Sequence, residues 1–153
     1  MFKQVRDIID SIQSYHARLS GYFLCLKTKA EDDRAVMLLD FLSKSEAFLG
    51  EYLEKYNHDT SKKVLNTWVK YVPWLPTDIL CECRKELDIS YPLHVYDVLK
   101  IALHFDDCLI KFYTILVQEL QNPKAEEVFT NLLRVTKKHE MNLARDTAWL
   151  NDI

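Results

Sequence analysis

The chain has 153 residues and a mass of 18.1 kDa, which predicts one domain large enough to bury a core of its own. With 48% apolar residues, 28% charged residues and a net charge of −3, it lacks the basic field that draws proteins to nucleic acid or anionic lipid. No apolar run reaches the ~18 residues of a membrane span, and the opening Met1-Phe2-Lys3-Gln4-Val5-Arg6-Asp7 carries no export-signal pattern, so a cytoplasmic protein is expected.

Only two glycines occur, Gly21 and Gly50, and both lie inside helical patterns. A β-rich fold needs many more turn residues, so the expected class is all-α. Cys25, Cys81, Cys83 and Cys108 sit in helical-looking segments without the spacing of a secreted disulfide scaffold. Four reduced thiols are the expectation.

In chain order, a first long helix is predicted over residues 2–28, with Ile9, Ile12, His16, Leu19, Phe23 and Leu26 on its buried stripe. Glu31-Asp32-Asp33 opens a second, over 31–57, where acidic residues suit the positive end of the helix dipole. Its stripe is Leu39, Leu42, Glu46, Leu49, Leu53 and Tyr56. The short link between the two makes them antiparallel neighbours.

Residues 58–91 read as a long, partly helical crossover. Asp59 or Thr60 caps a short helix running through Tyr71, Val72-Pro73-Trp74-Leu75-Pro76 follows, and Thr77 or Asp78 begins another short helix ending near Asp88. Pro92 opens a third long helix, over 92–121, with Leu99, Ala102, Leu109, Tyr113, Leu116 and Leu120 on one face. Asn122 caps the fourth, over 123–150, and Pro123 takes its first position, where the missing N–H costs little. Its stripe holds Leu132, Leu143, Thr147 and Leu150.

Three polar residues interrupt these last two stripes where hydrocarbon belongs: Asp106, Thr136 and His139. Shifting the numbering by 90 lays the second helix pair on the first. Leu19 then falls on Leu109, Tyr22-Phe23 on Phe112-Tyr113, Leu42 on Leu132 and Leu53 on Leu143. The core polar positions correspond too: His16 with Asp106, Glu46 with Thr136, and Leu49 with His139. Two antiparallel pairs joined by one long crossover is the ferritin-like variant of the antiparallel four-helix bundle.

On these residues the chain resembles the rubrerythrin and ferritin-like superfamily. The best local matches are Ala102-Leu103-His104-Phe105-Asp106 through Phe112-Tyr113, and Phe129 through Thr136-Lys137-Lys138-His139. The resemblance covers the four long helices and leaves the crossover out. In that family the first and third helices each supply a Glu, and the second and fourth each supply Glu-x-x-His, around two irons. Carried over, the first Glu is His16 and the third-helix Glu is shortened to Asp106; the second helix keeps Glu46 but has Leu49 for its His. The fourth keeps His139 but has Thr136 for its Glu.

The resemblance therefore implies a decayed di-iron site with four remaining candidate ligands: His16, Glu46, Asp106 and His139. An intact di-iron centre needs ligands this chain lacks. Two readings stay open: no metal, with the four groups pairing as carboxylate–imidazolium hydrogen bonds and Thr136 donating to Glu46, or one divalent Fe, Mn or Zn ion. The functional expectation is a non-catalytic structural or binding protein, forming a homodimer. A mononuclear metal-binding protein or oxidoreductase is one alternative, and an adaptor presenting the aromatic crossover around Trp68 and Trp74 to a protein partner is another.

Lesser candidates weigh less. His104 and Cys108 are one helical turn apart but lie on the face opposite Asp106, a solvated or interface position. Cys81 and Cys83 diverge by about 200° on a helix and cannot join each other. Tyr113 is read as core packing, and Lys137-Lys138 as a solvated helix surface.

Overall fold

A computed structural model describes residues 2–70 and 78–147. Its frame is four long helices: α1 (Val5–Leu26), α2 (Asp33–Asp59), α5 (Val95–Glu119) and α6 (Pro123–Thr147). Two shorter helices, α3 (Lys62–Leu65) and α4 (Ile79–Lys85), lie in the crossover with a strand, β2 (Trp68–Lys70), while β1 (Phe2–Gln4) precedes α1. The all-α class holds, with this one small sheet added. Among the described residues no helix is long and apolar enough to cross a membrane.

The long helices form two antiparallel hairpins. Lys27 reaches Asp40 at one end of the first and Asn57 reaches Asp10 at the other, fixing the opposed directions of α1 and α2. Midway, the Ser20 hydroxyl donates to the Ser43 carbonyl at 2.8 Å, and the Ser43 hydroxyl returns to the Ser20 carbonyl at 3.0 Å. α5 and α6 form the second hairpin, which meets the first through α2 and α5. Ile9, Ile12, Leu19 and Phe23 of the predicted first stripe are all buried, as are Leu109, Leu116, Leu132 and Leu143 of the second hairpin. Leu49, Tyr56 and Leu99 are only half-buried, and Leu150 lies outside the described residues.

Boundaries shift where tertiary contacts or caps outbid helical propensity. Residues 2–4 are a strand rather than helix, because they pair antiparallel with β2, Gln4 opposite Trp68 and Phe2 opposite Lys70. The Val5 amide continues the ladder to the Thr67 carbonyl at 3.0 Å. The same pairing makes residues 68–70 strand where helix is predicted, Tyr71 lying outside the described residues; before them stands the single turn of α3, capped by Ser61 rather than Asp59 or Thr60. Asp32 caps α2, its carboxylate accepting from the Ala35 amide at 2.6 Å, so Glu31 stays outside the helix.

Asp78 caps α4 through the Cys81 amide, and that helix ends at Lys85, short of Asp88. α5 begins at Val95 and not at Pro92, because the Leu93 backbone is engaged with Lys29 and Glu31 and stays extended. Asn122 caps α6 as predicted, accepting from the Lys124 and Ala125 amides. The Val72–Pro76 stretch, with Trp74, falls outside the described residues.

The thiols depart most from expectation. Cys83 of α4 and Cys108 of α5 form a disulfide, with Cα atoms 6.0 Å apart, while Cys25 and Cys81 are free and exposed. Packing α4 onto α5 brings together two cysteines that are 25 positions apart, a proximity that helical periodicity does not encode. His104 is tied into the same corner: its Nε2 lies 2.8 Å from the Cys83 carbonyl, so it is half-buried under α4 rather than solvated.

Candidate metal centre

Each long helix contributes a titratable side chain to the middle of the molecule: His16 from α1, Glu46 from α2, Asp106 from α5 and His139 from α6. Each occupies a stripe position, so the helical period that buries leucines on either side buries His16, Glu46 and Asp106 and half-buries His139. Burying an isolated ion costs several kcal/mol, so each needs a partner in place.

The partners are direct. His16 Nδ1 donates to Glu46 Oε2 at 2.5 Å, and His139 Nδ1 donates to Asp106 Oδ2 at 3.0 Å. Of the pairings open from the sequence, the fold selects one imidazole and one carboxylate within each hairpin. Thr136 does not reach Glu46; its hydroxyl donates to the Leu132 carbonyl one turn back, at 2.9 Å. Leu49 lies beside His139 in the wall of an outer groove.

Glu46, Asp106 and His139 each offer one ligand atom within 4.8 Å of the other two. His16 is tied to this group through Glu46 and does not join it among the described residues. A tetrahedral site with ~2.1 Å bonds sets its donors ~3.4 Å apart, against separations of up to 4.8 Å among these three atoms. Leu49 and Thr136 add no ligand to this group: Leu49 is apolar and half-buried, and the Thr136 hydroxyl is bonded to the Leu132 carbonyl.

The electrostatics mark a place where negative charge is under strain. Burial pushes the Asp106 carboxyl above its ordinary value, outweighing the opposing pull of His139. The hydrogen bond to Asp106 raises the His139 imidazole, against the effect of burial. Burial also raises Tyr15, helped by the charges of Glu46 and Asp106; its hydroxyl donates to the Phe105 carbonyl at 2.9 Å. Next to His139, Glu140 is pushed up to about 7 by burial and by the facing carboxyl of Asp107. The sequence reading missed Tyr15 and Glu140. Tyr15, directly before His16, could have been found by asking which neighbours also face the core.

All three raised groups around α6 give the same sign of pH dependence in metal-free protein. Asp106, His139 and Glu140 hold protons more tightly folded than unfolded. The stability they contribute is full below their unfolded values and is lost as pH rises through the folded ones. Asp40 and Asp78, both lowered, act in the opposite sense only in more acid solution, where carboxylates protonate. With chelator present, the thermal midpoint is therefore higher at about pH 5 than at about pH 8. A midpoint that climbs across this interval contradicts the assignment.

The remaining sequence candidates separate from this centre. Tyr113 is buried core, with its hydroxyl raised by burial alone. Trp68 stands on β2 with 65% of its surface exposed, and Lys137 and Lys138 are solvated. The only geometry that gathers several metal-type ligands among the described residues is the core group. Comparison with protein-family models, with curated proteins and with solved structures returns no match to this chain.

Proposed function

We propose that this protein is a ferritin-like four-helix bundle whose two-metal motif has been reduced to a single-cation centre, serving a binding or structural role. Glu46, Asp106 and His139 hold one divalent ion of the Fe, Mn or Zn type, and His16 holds Glu46 in place. The carrying observation is that three ligand atoms, from three different helices, lie within 4.8 Å of one another in the core. Two carboxylates and an imidazole suit such ions, and the ion's charge offsets the two buried negative charges. Ligands on separate helices also make binding a fastener of the fold, because an ion that binds only the folded chain stabilises it.

The test is elemental analysis of protein purified without a histidine tag, followed by melting with added Zn, Mn or ferrous iron. The expected result is one ion per chain and a rise in melting temperature of about 5–10 °C at an excess of ~100 times the dissociation constant. Asp106→Ala and His139→Ala abolish the rise. A second reading is favoured by the two direct imidazole–carboxylate hydrogen bonds, which satisfy all four groups without an ion. Protein that carries no metal and melts unchanged in all three ions establishes that reading instead.

A further inference from the structure

We propose that the corner where α4 meets α5 is a redox-controlled metal site: once its disulfide is reduced, Cys83, Cys108 and His104 take up one zinc ion. This rests on the α4–α5 contact and is independent of whether the core holds an ion. As the corner stands it holds none, because each sulfur is bonded to the other. Reduction frees two thiols whose Cα atoms the packing of α4 on α5 sets 6.0 Å apart. In a tetrahedral site with Zn–S bonds of ~2.3 Å the two sulfurs stand ~3.8 Å apart, within reach of side chains at that Cα spacing.

His104 is the third ligand. It stands one helical turn before Cys108 on α5, the spacing at which two side chains of a helix meet one ion. Its ring is already set. Nε2 lies 2.8 Å from the Cys83 carbonyl, and a carbonyl only accepts, so in the neutral ring Nε2 carries the hydrogen and Nδ1 keeps the lone pair. Donating one ring N–H to a backbone carbonyl while the other nitrogen binds is how metal-ligating imidazoles are usually fixed. Here that carbonyl belongs to Cys83, itself a ligand. Cys83 is fully buried, and Cys108 and His104 are half-buried, which leaves a fourth position for water. Asp106 lies two residues from both His104 and Cys108, turned about 200° away on the helix, so the corner and the core share no ligand.

Two sulfurs and an imidazole form a ligand set that suits zinc and not the hard cations magnesium and calcium. The chemistry balances as a thiol–disulfide exchange. A small dithiol reductant breaks the Cys83–Cys108 bond and closes into its own disulfide; zinc binds the two released thiolates, and their two protons pass to solvent. Oxidation by a disulfide runs the same steps backward and expels the ion.

Cobalt titration tests the site, because a cobalt–thiolate bond absorbs in the near ultraviolet and the core group contains no sulfur. The chain carries Cys25→Ser and Cys81→Ser, and is reduced with a phosphine that is then removed without air. One cobalt ion per chain is expected to produce the band, and zinc to bleach it; the oxidised chain gives no band. His104→Ala weakens zinc, read from displacement of the band, by at least about 100-fold, the upper range for loss of an outer-shell partner, while helical circular dichroism is unchanged. Zinc also protects the reduced chain against cleavage after Arg84 and Lys85, and gives no such protection to Cys108→Ser. Reduced protein without the band, an equal band in oxidised protein, or zinc affinity indifferent to His104→Ala overturns the proposal.

Discussion

Glu46→Ala is expected to cost about 1–3 kcal/mol of folding stability in metal-free protein, the range for leaving a buried hydrogen-bond donor without its acceptor. The His16 imidazole would stay in a core where it is only 6% exposed, and its Nδ1 hydrogen would have no acceptor. The informative comparison is the double change His16→Leu, Glu46→Leu, which removes both polar groups and fills the space with hydrocarbon. Replacing a whole buried pair by packed apolar residues is often neutral or favourable, so the double variant should recover most of the loss. Urea denaturation of the two variants and the parent, with chelator present, measures this. A harmless Glu46→Ala, or a double variant as damaged as the single one, would mean that the pair is not buried as described.

The second large effect concerns the corner where α4 meets α5. Joining Cys83 to Cys108 closes a loop across a separation of 25 residues, a constraint on the unfolded chain of about 3.5 kcal/mol in the loop-entropy account. Cys83→Ala with Cys108→Ala should lower the melting temperature by about 10 °C at this chain length. The loss should concentrate in α4, a helix of seven residues held otherwise by the burial of Ile79 and Leu80 and by the contact of His104 with the Cys83 carbonyl. Limited proteolysis after Arg84 and Lys85 reads that loosening directly. Equal melting of the parent with and without reductant would show that the bond does not brace this corner.

Much of the frame follows from local rules that the sequence states openly. The three-four alternation of Ile9, Ile12, Leu19 and Phe23, and the Asn122-Pro123 start of α6, act within a turn or two of chain. Such signals are readable because the helix repeats the same geometry at every residue. The polar breaks at 16, 46, 106 and 139 were readable for the same reason, as departures from a regular pattern.

What the sequence by itself determined is therefore the class, the four long helices and the membership of the core polar group. Tertiary structure alone decided which imidazole meets which carboxylate, that Thr136 turns back to Leu132, that residues 2–4 pair with 68–70, and that Cys83 finds Cys108. Each of these is a contact between segments far apart in the chain. Its energy depends on distances that no local repeat contains, so it becomes definite only when the hairpins and the crossover are packed together.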